Sequence, residues 1–362
     1  MLLKCGIVGL PNVGKSTLFN ALSAAGVEAE NFPFCTVEPN HGIVQIPDKR
    51  LDKISALINP RSSTPAIVEF VDIAGLVKGA SRGEGLGNQF LAHIRETHAI
   101  IHVIRCFKET RISHVHDTID PIADLEIVET ELLLADIETV SKIKLKAERA
   151  YKRGNKDLAS KFEKLLGLEE ELKKGIQGRN TSFGKEKDPF LKGLQLITMK
   201  PCLYQANTGE ETEENPFLNN LEDYLENKDG NILSLCNQIE AELVEFKEEE
   251  RSAFLKEMDI EEPGLNKLIK ASYNLLELFS FFTVVSKDLR AWTIKKGTLA
   301  PDAASEVHSD FKKGFIRADT IAYDDFIEYG GEIGSKAAGK LRSEGSDYIV
   351  QDGDVIYFKF NI

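Results

Sequence analysis

The sequence predicts an α/β protein whose main domain is built on a doubly wound parallel sheet. Short, continuous apolar runs rich in β-branched residues are typical of buried parallel strands. Helical patterns separate these runs from one another. Such alternation marks a doubly wound sheet, whose ligands bind at the carboxyl ends of the strands. The runs are Cys5–Val8, Ile67–Val71, Ile100–Ile104, Cys202–Gln205 and Ile232–Leu235.

Length and composition indicate a multi-domain protein of the cytosol. The chain has 362 residues, which is long for one hydrophobic core, and its 42% apolar and 28% charged content is typical of soluble globular proteins. No secretory leader and no apolar run of about 18 residues is present, so neither secretion nor a membrane partner is expected. Five cysteines without CxxC spacing argue against a disulfide framework and a zinc site. The net charge of −13 disfavours nucleic acid for the chain as a whole, and no DNA partner is expected.

The third and fourth runs are separated by about a hundred residues, too many for a simple connection. We therefore expect an insertion over residues 124–193, in which apolar residues recur at helical spacing on both sides of Gly154-Asn155. Two long antiparallel helices packed as a hairpin fit this pattern best, followed by a mobile polar loop from Arg179 to Lys187. The apolar positions are Leu125, Val128, Leu132, Ala135, Leu158, Phe162, Leu165, Leu172 and Ile176.

The inserted hairpin is basic, unlike the rest of the chain. From Ser141 to Gly193 there are 15 Lys and Arg residues against 8 Asp and Glu, a balance of +7, so the remainder carries −20. The basic cluster either contacts a phosphate backbone or is an ordinary solvated helix face, and both interpretations stay open. The cluster includes Lys142, Lys144, Lys146, Arg149, Lys152 and Arg153.

Two helices are predicted after Glu240. The first covers residues 243–258, and the second covers 265–279, behind the break at Pro263-Gly264. These helices complete the main domain, which we place at residues 1–123 and 194–278.

The last part of the chain, residues 279–362, changes to the pattern of a small α+β domain. A strand over Leu289–Ile294 and a helix near Ala303–Phe311 come first. An Asp-Gly turn then separates two strand-like runs, which predicts a closing hairpin. These runs are Tyr348–Val350 and Val355–Phe360.

One motif points to a specific chemistry. Residues Gly9 to Ser16 read Gly-Leu-Pro-Asn-Val-Gly-Lys-Ser, the phosphate-binding pattern G-x-x-x-x-G-K-S, between the first strand and a helix over Thr17–Ala25. The glycines let successive backbone N–H groups face one anion, the helix adds its positive N-terminal end, and Lys15 reaches the outer phosphates. The main domain is therefore expected to be a P-loop nucleotide hydrolase that holds a nucleoside triphosphate. The expected contacts in this loop are Asn12, Val13, Gly14, Lys15, Ser16 and Thr17.

A magnesium site is expected beside this loop. Mg²⁺ neutralises the triphosphate in such proteins and is held by the hydroxyl after the lysine and by a carboxylate at another strand end. Ser16 supplies the hydroxyl, and Asp72 ends the second apolar run in Asp72-Ile-Ala-Gly75. Gly75 would offer its N–H to the terminal phosphate. Thr36 lies between the two motifs, and it either completes the metal shell or only forms a turn.

Together these motifs resemble those of the YchF family, the Obg-like ATPases of the translation-factor class. The similarity covers nearly the whole length and implies that the insertion is the family's coiled coil and the last domain its ubiquitin-like β-grasp, or TGS, domain. It also implies a slow Mg²⁺-dependent ATPase that acts as a conformational switch on the ribosome, with the basic hairpin and the TGS-like domain contacting RNA or ribosomal protein. The segments that carry the similarity are Gly6–Asn20, Asn31–Thr36, Asp72–Ala80 and Gly83–Phe90.

The segment that reads the base favours adenine. Guanine-specific relatives use Asn-Lys-x-Asp, whose aspartate accepts two hydrogen bonds from guanine, but this chain has Asn207-Thr208-Gly209-Glu210. The extra methylene of Glu210 moves the carboxylate by about 1.5 Å, and each hydrogen bond lost costs about 1–3 kcal/mol. The family resembles this chain in having Asn-x-x-Glu, so we expect ATP to be favoured, with GTP left open as a second substrate. Cys236 and Asn237 are expected in the loop that faces the base, although Thr208 and Asn237 differ from the aliphatic and small residues usual at their positions.

The attacking water needs an unusual partner in this chain. Ras-like proteins orient it with a glutamine after the D-x-x-G motif, but Leu76 occupies that position and cannot do so. The alternatives are a monovalent cation such as K⁺ held partly by Asn12, a loop histidine, or a partner protein. The resemblance points to His114 as the histidine. Lys15 and Gly75 complete the expected catalytic set.

Two other functions stay open. The first, suggested by Leu76, is a nucleotide-gated ribosome-binding or RNA-binding protein with little hydrolysis. The second is a GTP-specific GTPase, if Glu210 reads guanine after all. Cys35, next to Thr36, is either a redox-sensitive position, as the resemblance suggests, or a small buried thiol.

Overall fold

A computed structural model of the chain describes residues 3–26, 40–73, 86–109, 118–152, 157–186, 188–210 and 214–361. Contacts divide the chain into two compact units. We call the unit with Leu3–Gly42 and Glu69–Leu265 the larger unit, and the unit with Ile43–Val68 and Asn266–Ile362 the smaller unit. The domain boundaries expected from the sequence stay a prediction. Within the described residues, no helix is both long and apolar enough to cross a membrane.

The strands of the described residues form two sheets. They are β1 (Lys4–Val8), β2 (His41–Gln45), β3 (Ser62–Thr64), β4 (Ile67–Asp72), β5 (Ala99–Cys106), β6 (Cys202–Thr208), β7 (Asn231–Leu235), β8 (Leu278–Val285), β9 (Asp288–Lys295), β10 (Phe315–Ile321), β11 (Arg342–Glu344) and β12 (Val355–Phe360). The first sheet has the order β2-β4-β1-β5-β6-β7, and the second has the order β11-β10-β12-β8-β9-β3.

The described helices connect and cover these strands. They are α1 (Lys15–Ala24), α2 (Lys49–Ile58), α3 (Leu86–Glu96), α4 (Pro121–Tyr151), α5 (Asp157–Lys173), α6 (Pro189–Gly193), α7 (Pro216–Glu226), α8 (Asn237–Glu245), α9 (Glu248–Glu257), α10 (Gly264–Leu275), α11 (Ala300–Val307), α12 (Ser309–Lys313), α13 (Tyr323–Glu328) and α14 (Glu332–Ala337).

The first sheet confirms the predicted doubly wound architecture. Strand β1 pairs in parallel with both β4 and β5, and β6 pairs in parallel with β5 and β7. These are the five apolar runs predicted as strands, each within a few residues of its expected ends. Every residue of β5 is buried, as expected for a central strand that is covered on both faces. The carboxyl ends of the five strands therefore lie at one edge of the sheet.

The insertion forms the predicted hairpin of two long helices. Helix α4 has 31 residues and α5 has 17. Their antiparallel course is visible in two contacts: Ser141 donates to Glu169, and the rings of Tyr151 and Phe162 stack with centroids 5.8 Å apart. The helices share an apolar core of Leu133, Val140, Ala147, Leu165, Leu168 and Leu172.

The segment after α5, expected to be a mobile polar loop from Arg179 to Lys187, is ordered by side-chain hydrogen bonds at its start, and Lys187 lies outside the described residues. Residues 178–180 form a turn of 3₁₀ helix, and the guanidinium of Arg179 donates to the hydroxyl of Tyr204 at 2.9 Å and to Glu129 at 3.4 Å. Tyr204 in turn donates to Glu129 at 2.6 Å. This polar network ties the segment to β6 and α4, an arrangement that local composition does not reveal.

The smaller unit has a mixed sheet with the order of a β-grasp. Strands β8 and β9 form an antiparallel hairpin, and the last strand, β12, lies between β10 and β8, parallel to β8 and antiparallel to β10. Helix α11 packs on this sheet through a shared apolar core that includes Phe281, Ala300, Ala303 and Ile356. The small α+β domain predicted from the sequence is therefore confirmed in its fold class.

One strand of this sheet comes from a distant part of the chain. Ser62, Ser63 and Thr64 of β3 pair in parallel with Asp288, Leu289 and Arg290 of β9. The sequence pattern does not indicate this pairing, since the paired residues Ser62 and Asp288 are 226 positions apart.

Two predictions for the C-terminal part are wrong. The helix expected over 265–279 ends at Leu275, and the chain continues as β8 from Leu278. The hairpin expected at the Asp352-Gly353 turn does not form, because β12 pairs with β10 and β8 instead. Ile349 makes only an isolated bridge to Leu299. The turn is held by Asp354, whose side chain accepts from the Tyr348 hydroxyl and from the Gln351 N–H.

Two other predicted helices are each split in two. Between α8 and α9 the backbone of Phe246 and Lys247 is extended, and the Glu250 side chain accepts from the Lys247 N–H, so a new helix starts there. Between α11 and α12, the extended backbone of His308 breaks the helix in the same way.

Candidate nucleotide-binding site

A cavity of about 870 Å³ opens in the larger unit where β1, β5, β6 and β7 end. Its walls come from the loops that follow these strands and from the start of α1, α7 and α8. This is the strand edge at which doubly wound sheets bind ligands. The lining residues are 12, 14–17, 106–109, 207–210, 214–217 and 236–238.

The glycine loop takes a conformation suited to anion binding. Asn12 and Gly14 have left-handed backbones, with φ of 61° and 100°. Gly14 precedes α1, and no described side chain caps the start of this helix. The first N–H groups of a helix have no partner inside the helix, and its dipole is positive at this end. The loop therefore offers donors and positive potential to an anion in the cavity.

Lys15 lies buried at the bottom of this loop. Its ammonium donates to the carbonyl oxygen of Leu10 at 2.6 Å. Burial lowers the pKa of Lys15 to about 8, although the nearby carboxylate of Asp72 acts in the opposite direction. A polyphosphate in the cavity would favour the charged form of this side chain.

Asp72, at the end of β4, faces the same loop. Ser16 Oγ donates to Asp72 Oδ2 at 3.4 Å, while Asp72 Oδ1 is buried and has no hydrogen-bond partner among the described residues. Burial raises the pKa of Asp72, against the effects of Lys15 and Ser16. A buried carboxylate oxygen beside a hydroxyl fits a divalent cation, since oxygen donors of this kind are the ligands that such ions prefer.

Two asparagines connect the loops after β6 and β7 to the glycine loop. Asn207, near the end of β6, donates to the carbonyl of Val13 at 2.9 Å and accepts from the N–H of Asn237 at 3.0 Å. Asn237, at the start of α8, donates through its side chain to the carbonyl of Gly14 at 3.1 Å. The loops after β1, β6 and β7 are thus held together by three hydrogen bonds.

Comparison with known proteins finds relatives along the whole chain. Residues 4–140 match the family model described as a 50S ribosome-binding GTPase, and residues 278–361 match the model of the YchF GTPase C-terminal family, described as a protein of unknown function. A protein of Haemophilus ducreyi named ribosome-binding ATPase YchF is 51% identical and is matched over 99% of both chains. The protein of the same name from Bacillus subtilis is 49% identical over 100% of both chains. The chain belongs to the YchF family.

A solved YchF structure has the same fold. The structure of the Schizosaccharomyces pombe YchF GTPase superposes with a TM-score of 0.89 and 35% sequence identity, covering 99% of this chain and 97% of that chain. This match confirms the P-loop nucleoside triphosphatase fold with a C-terminal domain.

The structure brings most of the sequence-predicted residues to this one cavity. Asn12, Gly14, Ser16 and Thr17 line it with Lys15, and Val13 lies behind them with its carbonyl on Asn207. Thr208, Glu210, Cys236 and Asn237 line it as well. Thr36, Gly75, Leu76, His114 and Cys35 lie outside the described residues.

The residues that form one wall of the cavity, at the start of α7, were not predicted from the sequence. Asn215 caps α7 by accepting from the Phe217 N–H and also donates to the carbonyl of Cys106 at 2.8 Å. It thereby fixes the start of α7 against the end of β5, where the Lys108 ammonium lies 5.4 Å from the centre of the Phe217 ring. The pair Asn215-Pro216 is a recognisable helix start, but nothing in the sequence places that start at the cavity.

Proposed function

We propose that this chain is an Mg²⁺-dependent ATPase that acts as a slow conformational switch on the ribosome, in the cytoplasm. The relatives from Haemophilus ducreyi and Bacillus subtilis are named ribosome-binding ATPases. The observation that carries the proposal is that one cavity joins the glycine loop, with Lys15 and Ser16 in its lining, to the segment from Asn207 to Glu210, while Asp72 accepts a hydrogen bond from Ser16. Such a cavity can hold the phosphates and the base of one nucleotide.

The end of the cavity at the glycine loop, the phosphate end, would bind the metal and stabilise negative charge on the terminal phosphate. Ser16, Asp72 and Thr36 are the proposed Mg²⁺ ligands, and Lys15 and the N–H of Gly75 would neutralise charge on the terminal phosphate. The attacking water would be oriented by His114, or by K⁺ held partly by Asn12. The metal supplies charge neutralisation when bound, while the side chains of this chain hold and orient the phosphates.

The base end would favour adenine through Glu210. This carboxylate lines the cavity three residues beyond Asn207, where a guanine-specific site needs the shorter aspartate to reach two donors of the base. Fluorescent ADP and GDP should be titrated against the wild type and Glu210→Asp. We expect the wild type to favour ADP and the variant to shift at least tenfold towards GDP. A wild-type preference of tenfold or more for GDP would make the chain a guanine-specific GTPase.

Hydrolysis needs its own test, because Leu76 replaces the usual water-positioning glutamine. Phosphate release over many turnovers should be measured with Mg²⁺ and K⁺ present, for the wild type, Lys15→Ala and His114→Ala. We expect slow wild-type turnover that both variants reduce. Release no faster than that of Lys15→Ala would instead support a nucleotide-gated binding protein with little hydrolysis.

The ribosome would be contacted by the hairpin and the C-terminal domain, which we propose to be TGS-like. Lys142, Lys146 and Arg149 of α4 and Lys152 just after it are exposed, whereas Lys144 is half-buried beside Glu169. Lys142 pairs with the exposed Glu138, and Lys152 pairs with the half-buried Glu148, each one helical turn away. Surface pairs of this kind are weak enough to be exchanged for phosphate.

Sedimentation with ribosomes tests this contact. Wild type and a variant with charge reversal at Lys142, Lys146, Arg149 and Arg153 should be compared with and without a non-hydrolysable ATP analogue. We expect the analogue to change the bound fraction of the wild type and the charge reversal to reduce it. Undiminished binding of the variant would remove the basic hairpin from the interface.

A further inference from the structure

Asn237 is buried at the junction between the base end and the phosphate end of the cavity. It is 1% exposed and is the first residue of α8. Its backbone N–H is already used by Asn207 Oδ1, and its side-chain Nδ2 donates to the carbonyl of Gly14 at 3.1 Å and to Gln205 Oε1 at 3.4 Å. The side chain therefore reaches from the loop after β7 to the glycine loop.

Holding the carbonyl of Gly14 also orients the next N–H group. In a trans peptide the carbonyl oxygen and the following N–H lie in one plane and point in opposite directions. The Gly14 carbonyl accepts from Asn237 Nδ2 and from the Leu18 N–H at 3.0 Å, so the N–H of Lys15 must point the other way, towards the open end of α1. Asn207 holds the carbonyl of Val13 in the same manner and thereby orients the N–H of Gly14.

The burial of Asn237 does not serve stability alone. Its Oδ1 is buried and has no hydrogen-bond partner among the described residues. A buried polar atom left unpaired destabilises the folded chain, and this cost offsets part of the stabilisation from the two Nδ2 hydrogen bonds. The amide at this place is explained if its hydrogen bond to the glycine loop also serves the ligand.

We propose that Asn237 is a positioning residue for the polyphosphate. Its amide fixes the Gly14–Lys15 peptide so that the Lys15 N–H faces the phosphates before any nucleotide arrives, and it makes no contact with the base. The inference rests on the nucleotide site of the proposed function. It does not depend on which base is bound or on whether hydrolysis follows.

The test compares a ligand with phosphates and a ligand without them. Affinities of the full chain for ADP and for adenosine should be measured by competition against a fluorescent ADP, for wild type, Asn237→Ala and Asn237→Asp. Loss of one positioning hydrogen bond should weaken ADP binding about tenfold in Asn237→Ala, and adenosine should bind within about twofold of wild type. In Asn237→Asp, ADP binding should fall further, because a carboxylate would face the Gly14 carbonyl and lower the positive potential of the loop.

Asn227→Ala is the matched control. Its amide also donates to a backbone carbonyl at a helix end, that of Asp223 at 2.7 Å, but it lies outside the cavity lining. This variant should bind both ligands as the wild type does, and circular dichroism should show that every variant is folded at the temperature of the titration. Equal weakening of ADP and adenosine in Asn237→Ala, or no weakening of ADP, would overturn the inference. A wild-type preference for guanine would contradict the proposed function alone, since GDP and guanosine would then replace ADP and adenosine in the same comparison.

Discussion

Lys15 carries the charge that decides how tightly the glycine loop holds an anion. Because burial lowers its pKa to about 8, the free protein loses this charge as the pH rises through 8. A bound polyphosphate favours the ammonium form and raises the pKa of Lys15. We therefore expect nucleotide affinity to fall above pH 8, by up to about tenfold per pH unit, with a proton taken up on binding.

Calorimetry in buffers of different ionisation enthalpy measures this proton directly. At pH 8 about half a proton should be taken up on binding ADP, and near pH 7 the uptake should be much smaller because Lys15 is already charged. Binding at pH 8 without proton uptake would show that the free lysine keeps its ordinary pKa.

Any side chain at position 14 should strongly weaken nucleotide binding. The φ of +100° at Gly14 disfavours other residues, and an added Cβ would lie 2.2 Å from Asn207 Nδ2. Gly14→Ala should therefore break the contact between Asn207 and the loop and weaken nucleotide binding by about a hundredfold or more, equivalent to about 3 kcal/mol. Titration with fluorescent ADP measures the effect.

Gly175→Ala separates strain from the clash at this position. Gly175 also has a left-handed backbone, with φ of +86°, but an added Cβ there would meet no atom within 4 Å. This control should lose about 1 kcal/mol of unfolding free energy and keep its affinity for ADP. If Gly14→Ala bound ADP as tightly as Gly175→Ala, the contact between Asn207 and the loop would not be needed for nucleotide binding.

At this scale the sequence could predict residues that act through a local motif. Gly14, Lys15 and Ser16 follow from one eight-residue pattern, and Asp72 follows from its place at a strand end. The roles of Asn237 and Asn215 could not be predicted in the same way. Each depends on which strand ends lie next to each other, and local patterns do not encode that adjacency.

Asp136 anchors the hairpin helix α4 to the segment that leads back into the sheet. Its buried carboxylate accepts from the N–H groups of Ile197 and Thr198, at 2.9 and 2.7 Å, and from the Thr198 hydroxyl. Asp136→Ala would leave these buried donors unpaired and should lower the unfolding free energy by about 2–5 kcal/mol. Denaturant unfolding followed by circular dichroism measures the loss.

Glu138→Ala is the control on the same helix. Glu138 forms an ion pair with Lys142, and both side chains are more than half exposed, so its removal should cost at most about 0.5 kcal/mol. Equal effects of the two variants would mean that Asp136 contributes no more than a surface carboxylate.

Whether an element could be predicted depended on how local its cause is. The strands β1, β5 and β6 were predictable because a continuous apolar run is enough to identify a buried parallel strand. The pairing of β12 was not predictable, because this strand lies between β8 and β10 and pairs with residues 34 to 73 positions away. The 3₁₀ turn at 178–180 was not predictable for the same reason, because the hydrogen-bond partners of Arg179 lie on β6 and α4.

At the scale of the whole molecule, the candidate nucleotide site lies in the larger unit, and the tryptophan whose fluorescence can report unfolding lies in the smaller unit. The chain has a single tryptophan, Trp292 on β9. Its ring lies under the guanidinium of Arg290, with 4.0 Å to the centroid, and its indole N–H donates to Thr283 at 2.8 Å. Tryptophan fluorescence therefore reports the unfolding of the smaller unit, whereas far-ultraviolet circular dichroism is dominated by long helices such as α4 in the larger unit.

We expect nucleotide binding to stabilise both units against unfolding, so that the fluorescence and dichroism transitions shift together. At a concentration a hundredfold above Kd, ADP should add about 2.7 kcal/mol to the unfolding free energy of the unit that binds it. Strand β4 and helix α10 each run across the boundary between the units, at 68/69 and 265/266, so unfolding of one unit removes hydrogen bonds from an element that the other unit shares. Coincident transitions in the two signals, both shifted by ADP and both unshifted in Gly14→Ala, would support one cooperative protein. A Trp292 transition that stays in place while the dichroism transition moves would show that the smaller unit folds independently of the nucleotide site.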